Sequence, residues 1–489
     1  MLNWQLMNNR FLNSHWFTVF LLAICLLPLF AVWHYEYLPL QDYPNHLARI
    51  EIIKNYEYSE FYRDKFEISF FKDMLPLPYI TLDLFASKIF GFIDTDRALK
   101  IFISLYVILY ALSLNLLARH FKQDYSLILL FNLPLMHSYF FHMGFLNFLF
   151  GIPFFLFSVY FIERCDASRD KTHLFAAAIL ALVIYLTHIF IFFVFCAFIS
   201  CYLFLKKSNF KLFIQIGVAV LLFFVLTMSF GLFDFLTRDV QIGFGEKFAR
   251  SIFLFFHLPF YPLVINSILF LFVIYLILRN SSVENKPYLL FSALCFLLFT
   301  ALPGLKGITY VNVDIRALFF SIMLLPFAFH IKRTMEFAKF ILIVVSIINF
   351  SYLLISFSDF NKNFSTRCAG HIENRSIMLP VISSEINSWV APHLFSWGYF
   401  YKNKEMLTPY LFTDDHVPIK YKDELPAPSR WWAIVGSKEL DPDIVNEIKD
   451  KYDYILFVGN DLKVERLISS ISSKECSEGI VSLYRMRKD

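Results

Sequence analysis

The chain has 489 residues, of which 58% are hydrophobic and 17% are charged, and its mean hydropathy is +0.57. A chain of this composition is expected to be a polytopic membrane protein, because it would not stay soluble as a monomer. The net charge of +4 is small and the Lys and Arg residues are scattered, which argues against nucleic acid as a partner.

Apolar runs of membrane-crossing length, or close to it, recur along the chain. The first run, Trp16 to Trp33, lacks a small-residue cleavage site and is interpreted as a retained span. The sequence predicts about eleven transmembrane helices. We expect them at 16–33, 97–117, 126–141, 145–162, 173–187, 189–205, 212–232, 251–278, 288–303, 317–330 and 340–356. The stretch 173–205 is either one long tilted helix or two helices that meet at Thr187-His188.

Basic residues mark alternate connecting segments as cytoplasmic, which puts the N-terminus inside and everything after about residue 357 outside. These segments contain Arg119 and Lys122; Arg164, Arg169 and Lys171; Lys206, Lys207 and Lys211; Arg279 and Lys286; and Lys332, Arg333 and Lys339. The first outer loop, 34–96, is long for a connector and contains two predicted amphipathic helices, near 44–62 and 78–90. We expect these helices to lie in the membrane interface.

The hydropathy falls after residue 356, so the sequence divides into a multi-span domain, 1–356, and a small extracytoplasmic α/β domain, 357–489. The predicted strands are 432–435, 454–458 and 480–484, and the predicted helices are 441–451 and 461–472. Cys368 and Cys476 both fall in this domain, either as a disulfide or as two unpaired thiols. Its aromatic residues form either a small core, which we favour, or surfaces on which sugars stack. These are Trp397, Tyr399, Tyr401, Trp431 and Trp432.

The motif Asp42-Tyr43-Pro44-Asn45-His46 follows the first span, where ionisable groups close to hydrocarbon are costly unless they are paired or hydrated. The proline starts a helix at its first turn, so Asp42 is expected near the N-cap and His46 about one turn inward. One interpretation makes Asp42 a helix cap and His46 an interfacial polar residue. The other makes them catalytic, because a carboxylate in a wet groove accepts a proton or holds a cation.

Further polar residues are predicted on the same outer side. His142, in the segment His142 to Asn147, and His188 are either metal ligands or hydrogen-bonded residues at helix ends. A departing phosphate needs cationic partners, for which the candidates are Lys306, Arg316 and the weaker Arg238. Arg316 is equally well explained as a structural partner of Asp314 or as a side chain that snorkels to the membrane surface.

The order of these elements resembles the GT-C superfamily of integral-membrane glycosyltransferases. The shared features are a short inner N-terminus, one span, an acid-bearing outer loop, many further spans and an outer C-terminal domain. The resemblance is architectural, and its most specific local element is Asp42-x-Pro-x-His46.

The resemblance implies that Asp42 is a catalytic base or metal ligand, that His46 shares this task, and that the donor is a sugar on a polyprenyl phosphate. The acceptor is then an outer-face glycan or lipid, and the location is the bacterial cytoplasmic (inner) membrane. If Asp42 is a metal ligand, the expected cofactor is a divalent metal, Mg or Mn. His142 and His188 are further candidate ligands because they are predicted on the same outer side, not because of the resemblance. Many members have a second acid in the next outer loop, where this chain offers only histidines, so metal dependence stays open; Glu51 and Asp73 are the substitutes.

Two other functions are compatible with the sequence: a transporter or flippase of a lipid-linked substrate, and a non-catalytic membrane assembly protein. The chain has no P-loop, no GxGxxG after a strand, no HExxH and no CxxC pair. It has no clear internal repeat, and its polar residues concentrate on one side, which favours surface chemistry over a transmembrane path.

Overall fold

The structure, a computed structural model, describes residues 15–72, 75–206, 261–301, 313–331, 335–383, 390–402, 404–413, 417–423 and 442–487. In chain order its α-helices are α1 (His15–His34), α2 (Tyr43–Asn55), α3 (Glu60–Lys65), α4 (Thr81–Leu84), α5 (Thr95–His120), α6 (Tyr125–Met136), α7 (Tyr139–Met143), α8 (Leu146–Ser168), α9 (Lys171–Thr187), α10 (Ile189–Lys206), α11 (Tyr261–Asn280), α12 (Lys286–Ala301), α13 (Val313–Leu324), α14 (Glu336–Asn363), α15 (Pro442–Lys451) and α16 (Leu462–Ile471).

The strands are β1 (Phe66–Ile68), β2 (Phe71–Lys72), β3 (Leu75–Pro76), β4 (Ser281–Val283), β5 (Phe329–Ile331), β6 (Ser376–Ile382), β7 (Met406–Leu407), β8 (Ile419–Tyr421), β9 (Tyr454–Val458), β10 (Ser472–Glu478) and β11 (Val481–Met486). A π-helical turn follows α4 at Phe85–Ile89, and 3₁₀ turns occur at Leu325–Ala328, Arg367–His371 and Ser396–Lys402.

The chain divides into two compact units. Unit 1 contains Met1–Pro28, Leu105–Tyr139 and Phe148–Ser351, and unit 2 contains Leu29–Ser104, Phe140–Asn147 and Tyr352–Asp489. The domain boundary predicted near residue 357 stays a prediction.

Four helices among the described residues are long and apolar enough to cross a membrane: α5, α8, α10 and the helix that begins at Glu336. Shorter apolar helices lie at Val19–His34, Lys171–Thr187, Ser267–Asn280 and Lys286–Thr300. The predicted class, a mostly helical membrane protein, is therefore confirmed. The count of about eleven spans stays a prediction, and the span at 212–232 lies outside the described residues.

The stretch 173–205 forms two helices. α9 ends at Thr187 and α10 begins at Ile189, because His188 between them has an extended backbone (φ −162°, ψ 113°). This choice between one helix and two could not be made from hydropathy, since both alternatives contain the same apolar residues.

The helices of unit 1 pack through edge-to-face phenylalanine contacts. The Phe155 ring of α8 lies 6.0 Å from that of Phe198 in α10 and 5.1 Å from that of Phe320 in α13. All three side chains are buried, so part of the unusually large phenylalanine content fills the helix bundle.

A polar cluster joins four helices of unit 1. The Glu163 carboxylate of α8 accepts hydrogen bonds from Tyr202 in α10 (3.0 Å) and Tyr288 in α12 (3.1 Å). His120 of α5 and Lys206 of α10 approach it at 3.8 and 3.9 Å. Glu163 is buried, and these contacts provide partners for its carboxylate oxygens.

Unit 2 contains a five-stranded sheet with the order β10-β11-β9-β6-β7. β6 pairs in parallel with β9 and β7, while β11 pairs antiparallel with both β9 and β10. All five residues of β9 are buried, which explains its uninterrupted apolar sequence Tyr-Ile-Leu-Phe-Val. The predicted strands at 454–458 and 480–484 and the predicted helices at 441–451 and 461–472 are confirmed as elements; the segment 432–435 lies outside the described residues.

Residues 34–96, the predicted first outer loop, belong to the same unit as the sheet. β1 pairs antiparallel with β8, with Phe66 opposite Tyr421. Every residue of α2 from Tyr43 to Ile53 is buried, so this helix does not present one polar face along its length as an amphipathic surface helix would. Its interfacial location stays a prediction.

Cys368 and Cys476 form a disulfide, with Cα atoms 5.6 Å apart. It connects the 3₁₀ turn after α14 to the edge strand β10, which decides between the two states that the sequence leaves open. The side chains of Trp397, Tyr399 and Tyr401 are buried, which supports the interpretation of these aromatic residues as core.

Candidate functional site

Asp42 lies at the start of α2, after the first apolar helix. It is the N-cap residue and Pro44 stands in the first turn, as the motif predicts. However, the Asp42 side chain makes no capping hydrogen bond, which an aspartate at an N-cap commonly accepts from the backbone of the first turn. The interpretation of Asp42 as only a helix cap therefore loses its main support.

The backbone around Asp42 is fixed by the turn at His142–Gly144. The Gln41 N–H donates to the His142 carbonyl and the Asp42 N–H donates to the Met143 carbonyl, both at 2.9 Å. Gly144 has φ +72°, and a Cβ atom there would lie 2.9 Å from the Tyr43 nitrogen. The structure thus brings together the two motifs that the sequence singled out, Asp42 to His46 and His142 to Asn147.

The residues that follow the candidate acid hold its segment in place. The Tyr43 hydroxyl donates to an Asp96 carboxylate oxygen at 2.7 Å. The Asn45 amide donates to the Tyr410 carbonyl (2.9 Å) and its oxygen accepts from the Phe412 N–H (3.0 Å). Because both halves of a fully buried amide are used, the Asn45 side chain has a single defined orientation.

Two further contacts leave little space around the same segment. The Gln41 side-chain oxygen accepts from the Ala391 N–H at 2.9 Å. A Cβ atom on Gly398 would collide with the Pro44 carbonyl, so only glycine permits this approach. We call Gln41–His46 the Asp42 segment. It is held in place by contacts from four separate parts of unit 2: Asp96, residues 142–144, residues 391–398 and residues 410–412.

His46 lies one turn into α2 and is 8% exposed. Burial lowers the pKa of His46 well below its usual value, and the nearby Arg49 charge lowers it further, while a hydrogen bond with the Gly144 backbone acts in the opposite direction. The imidazole is therefore neutral at pH 7. Its Nδ1 is buried without a hydrogen-bond partner among the described residues. This nitrogen can therefore accept a hydrogen bond from a bound ligand.

Arg49 forms a buried ion pair with Asp83. The guanidinium donates to both carboxylate oxygens, at 2.8 and 3.0 Å, and both side chains are almost fully buried. Burial raises the pKa of Asp83 and the Arg49 charge opposes that change. Next to Asp83, Asn147 accepts from the Leu82 N–H at 3.1 Å and donates to the Tyr79 carbonyl at 2.9 Å, which fixes the start of α4.

The other acids proposed near the site have different surroundings. Glu51 is 8% exposed and contacts Asn55 at 3.1 Å, and burial raises the pKa of its carboxyl. The Glu51 side chain is therefore largely shielded from water, and its role as a substitute acid stays a prediction. Asp73 lies outside the described residues.

Arg316 and His188 contact each other in unit 1. An Arg316 terminal nitrogen lies 3.0 Å from Nε2 of His188, and its guanidinium carbon lies 4.7 Å from the centre of the Phe148 ring. Because arginine is a donor only, His188 Nε2 is the acceptor. The guanidinium thus occupies the Nε2 lone pair of His188, and the predicted role of His188 as a metal ligand stays a prediction.

Several predicted site residues are not tested by this geometry. Lys306 and Arg238 lie outside the described residues, and the phosphate-binding role of Arg316 stays a prediction. His142 is buried and contributes its carbonyl to the contact with Gln41; its role as a metal ligand with Asp42 stays a prediction. Within the described ranges, no group of three or more His, Cys, Asp or Glu side chains is arranged to hold a metal ion.

Sequence reasoning missed the Arg49–Asp83 pair and the role of Asn45. The two charges lie 34 residues apart, so no local pattern pairs them. A usable signal was present, however: an arginine within an apolar stretch of α2 requires a buried anionic partner.

Comparison of the chain with protein-family models and with curated proteins gave no match.

Proposed function

We propose that the protein is a membrane glycosyltransferase of the GT-C type, which moves a sugar from a polyprenyl-phosphate donor to an outer-face glycan or lipid acceptor. The observation that carries this proposal is the Asp42 segment. A carboxylate that does not cap its own helix is held in a fixed position, one helical turn from a buried neutral histidine with an unused ring nitrogen.

In the proposed reaction, the hydroxyl oxygen of the acceptor attacks the anomeric carbon of the donor sugar. The hydroxyl proton passes to a carboxylate oxygen of Asp42, the bond between the anomeric carbon and the phosphate oxygen breaks, and polyprenyl phosphate leaves with the bonding electrons. Asp42 is then the general base, and no step requires a metal.

His46 has a positioning role in this proposal. Its neutral imidazole accepts a hydrogen bond through Nδ1 from a second hydroxyl group of the acceptor. This contact orients the acceptor and leaves the proton of the attacking hydroxyl group to pass to Asp42. The fixed backbone around Asp42 supports this assignment, because catalytic groups need positions accurate to a fraction of an ångström.

The proposed location is the bacterial cytoplasmic membrane, with about eleven spans, the N-terminus inside and the C-terminal α/β region outside. The apolar helices support a membrane location, and the Cys368–Cys476 disulfide supports an oxidising environment for the C-terminal region. Envelope glycans and lipid-linked saccharides are the acceptors available on that side.

The experiment measures release of free polyprenyl phosphate from a panel of polyprenyl-phosphate sugars by the purified full chain, with crude envelope glycans as acceptors. We expect Asp42→Asn to lower the rate at least about 10²-fold, as loss of a general base typically does. Asp64→Asn, the same change at an exposed acid of the same loop, is the control and should retain wild-type activity.

Equal release by wild type and Asp42→Asn would retain a transferase but remove Asp42 from its mechanism. If no donor is cleaved, the proposal is wrong, and transport or assembly becomes the better explanation. The release assay should be run on wild type and on Asp42→Asn, each with and without divalent cation. A rate that requires Mg or Mn would show that the reaction uses a metal.

A further inference from the structure

Unit 2 contains a cavity of about 670 Å³ that does not include Asp42 or His46 among its lining residues. Its walls come from the residues directly after α1, the end of α14, the 3₁₀ turn at Arg367–His371, Lys404, and the turn between β10 and β11. The volume is in the range of small-molecule sites.

The lining is polar and carries charges of both signs. Lys362, Arg367 and Lys404 contribute three cations, and Glu36 and Glu478 contribute two carboxylates. Arg367 and Glu478 approach only to 3.9 Å, and Arg367 is largely exposed. Tyr37, Ser365 and Thr366 add hydroxyl groups to the lining.

The cavity lies where two apolar helices end. α1 ends at His34, and the candidate span that starts at Glu336 includes the lining residues 361–370 at its C-terminal end. The Tyr37 N–H donates to the Asn361 side-chain oxygen at 2.9 Å, and the Asn361 amide donates to the Tyr37 carbonyl at 2.7 Å. These two hydrogen bonds connect the segment that follows α1 to the C-terminal end of α14.

The segments that form the walls of the cavity are joined by a disulfide and a backbone hydrogen bond. The disulfide connects the 3₁₀ turn that contains Arg367 to β10, the strand that ends at Glu478. The Ile480 N–H donates to the Asn363 carbonyl at 3.0 Å, and Gly479, with φ +58°, leaves no room for a Cβ atom beside Asn363. The charged side chains therefore project from a backbone that is fixed before any ligand binds.

We propose that this cavity binds the phosphate-linked polyol head group of a membrane amphiphile. Guanidinium and ammonium groups bind the phosphate. Carboxylates accept hydrogen bonds from the polyol, and hydroxyl groups both donate hydrogen bonds to it and accept them from it. The position at the ends of two apolar helices allows the tail of the amphiphile to remain in the bilayer. Neither the mixed charge nor the location fits an apolar ligand.

The test is isothermal titration calorimetry of the full chain in a non-ionic detergent. The probes are dihexanoyl phosphatidylglycerol, free glycerol 1-phosphate and dihexanoyl phosphatidylcholine, which has a phosphate but no polyol and no net charge. We expect phosphatidylglycerol to bind more tightly than phosphatidylcholine. The double variant Arg367→Gln/Lys404→Gln should weaken phosphatidylglycerol binding at least about tenfold, as loss of charge-assisted hydrogen bonds does.

The control is Arg375→Gln, which should bind like wild type. Arg375 is also an exposed arginine paired with a single glutamate, Glu405 at 3.5 Å, but it does not line the cavity. Equal affinity for free glycerol 1-phosphate would support the site and make a soluble phosphate its source, whereas preference for the lipid would make the membrane its source.

Three results would overturn the proposal: phosphatidylcholine bound as tightly as phosphatidylglycerol, binding unchanged in the double variant, or no binding of either phosphorylated polyol. The inference does not depend on the proposed transferase activity. Asp42→Asn should bind phosphatidylglycerol like wild type, so failure of one proposal is distinguishable from failure of the other.

Discussion

Gly144 determines how closely the turn after α7 approaches the candidate acid. In Gly144→Ala, the new methyl group would lie 2.9 Å from the Tyr43 nitrogen and 3.0 Å from the Asp42 nitrogen, and φ +72° is strained for alanine. We expect a loss of at least about 1–2 kcal/mol in the free energy of unfolding and loss of transferase activity, because the Asp42 segment must move. Chemical denaturation and the polyprenyl-phosphate release assay measure the two effects.

Gly370→Ala is the matched control for this substitution. A Cβ atom at Gly370 meets nothing within 4 Å. It should leave both stability and activity unchanged. Normal activity in Gly144→Ala would show that the fixed position of the Asp42 segment is not required.

The neutral state of His46 gives stability a defined pH dependence. Burial and the Arg49 charge lower its pKa in the folded protein, whereas in the unfolded chain it stays near 6.5. As pH falls below about 6.5, the unfolded chain binds a proton that the folded protein does not, so stability falls by up to about 1.4 kcal/mol per pH unit from this residue.

His46→Gln should remove that contribution, which would make the loss of stability between pH 7 and 5 shallower than in wild type. Parallel urea unfolding series at several pH values measure it. If the free energy of unfolding falls equally steeply with pH in both proteins, His46 takes up a proton in the folded state. The assignment of a neutral imidazole would then be wrong.

At the scale of elements, Glu163 connects α8 to α10 and α12. Glu163→Ala removes the acceptor for the Tyr288 hydroxyl and one acceptor for Tyr202, and it leaves polar groups buried. We expect the free energy of unfolding to fall by about 2–4 kcal/mol and the midpoint of thermal unfolding in detergent to be lower than in wild type.

Glu284→Ala provides the comparison for this change, because Glu284 forms an exposed pair with His330 at 3.4 Å. Its midpoint should match that of wild type, since exposed pairs contribute little. Should Glu163→Ala also unfold at the wild-type temperature, the cluster would not be what joins these helices.

Local helix signals could be predicted from the sequence, whereas contacts between distant segments could not. Pro44 predicts the start of α2, and Asp461 precedes α16 as a cap that accepts from Lys463 and Val464, because these signals act within a single turn. The contact between Gly144 and the Asp42 segment depends on tertiary structure, so the sequence marks both motifs without joining them. Hydropathy likewise does not reveal whether an apolar helix such as α6, whose residues from Leu127 to Met136 are buried, packs against protein or faces lipid.

For the whole molecule, the disulfide closes a loop with a sequence separation of 108 residues. A disulfide that closes a loop of about this length lowers the conformational entropy of the unfolded chain, which stabilises the fold by about 4–5 kcal/mol. We expect Cys476→Ser to lower the free energy of unfolding by a few kcal/mol, and Cys165→Ser, at a free and only partly buried cysteine, to have a much smaller effect.

The proposed orientation of the chain is tested with its own cysteines. Cys368 and Cys476 are expected outside and Cys165, a free cysteine in α8, is expected at a cytoplasmic helix end. A membrane-impermeant maleimide applied to intact cells after treatment with an impermeant reductant should therefore label Cys476. Cys165 should react only after the membrane is opened.

Single-cysteine variants that retain Cys476 or Cys165 separate the two signals, and mass spectrometry of the labelled peptides reads them. Labelling of Cys165 in intact cells, with Cys476 protected, would invert the orientation. The Asp42 segment shares unit 2 with both disulfide cysteines, and the sequence predicts the same side for all three. Inversion would therefore face the candidate base toward the cytoplasm, where envelope glycans are not available as acceptors, and the proposed substrate class would fail with it.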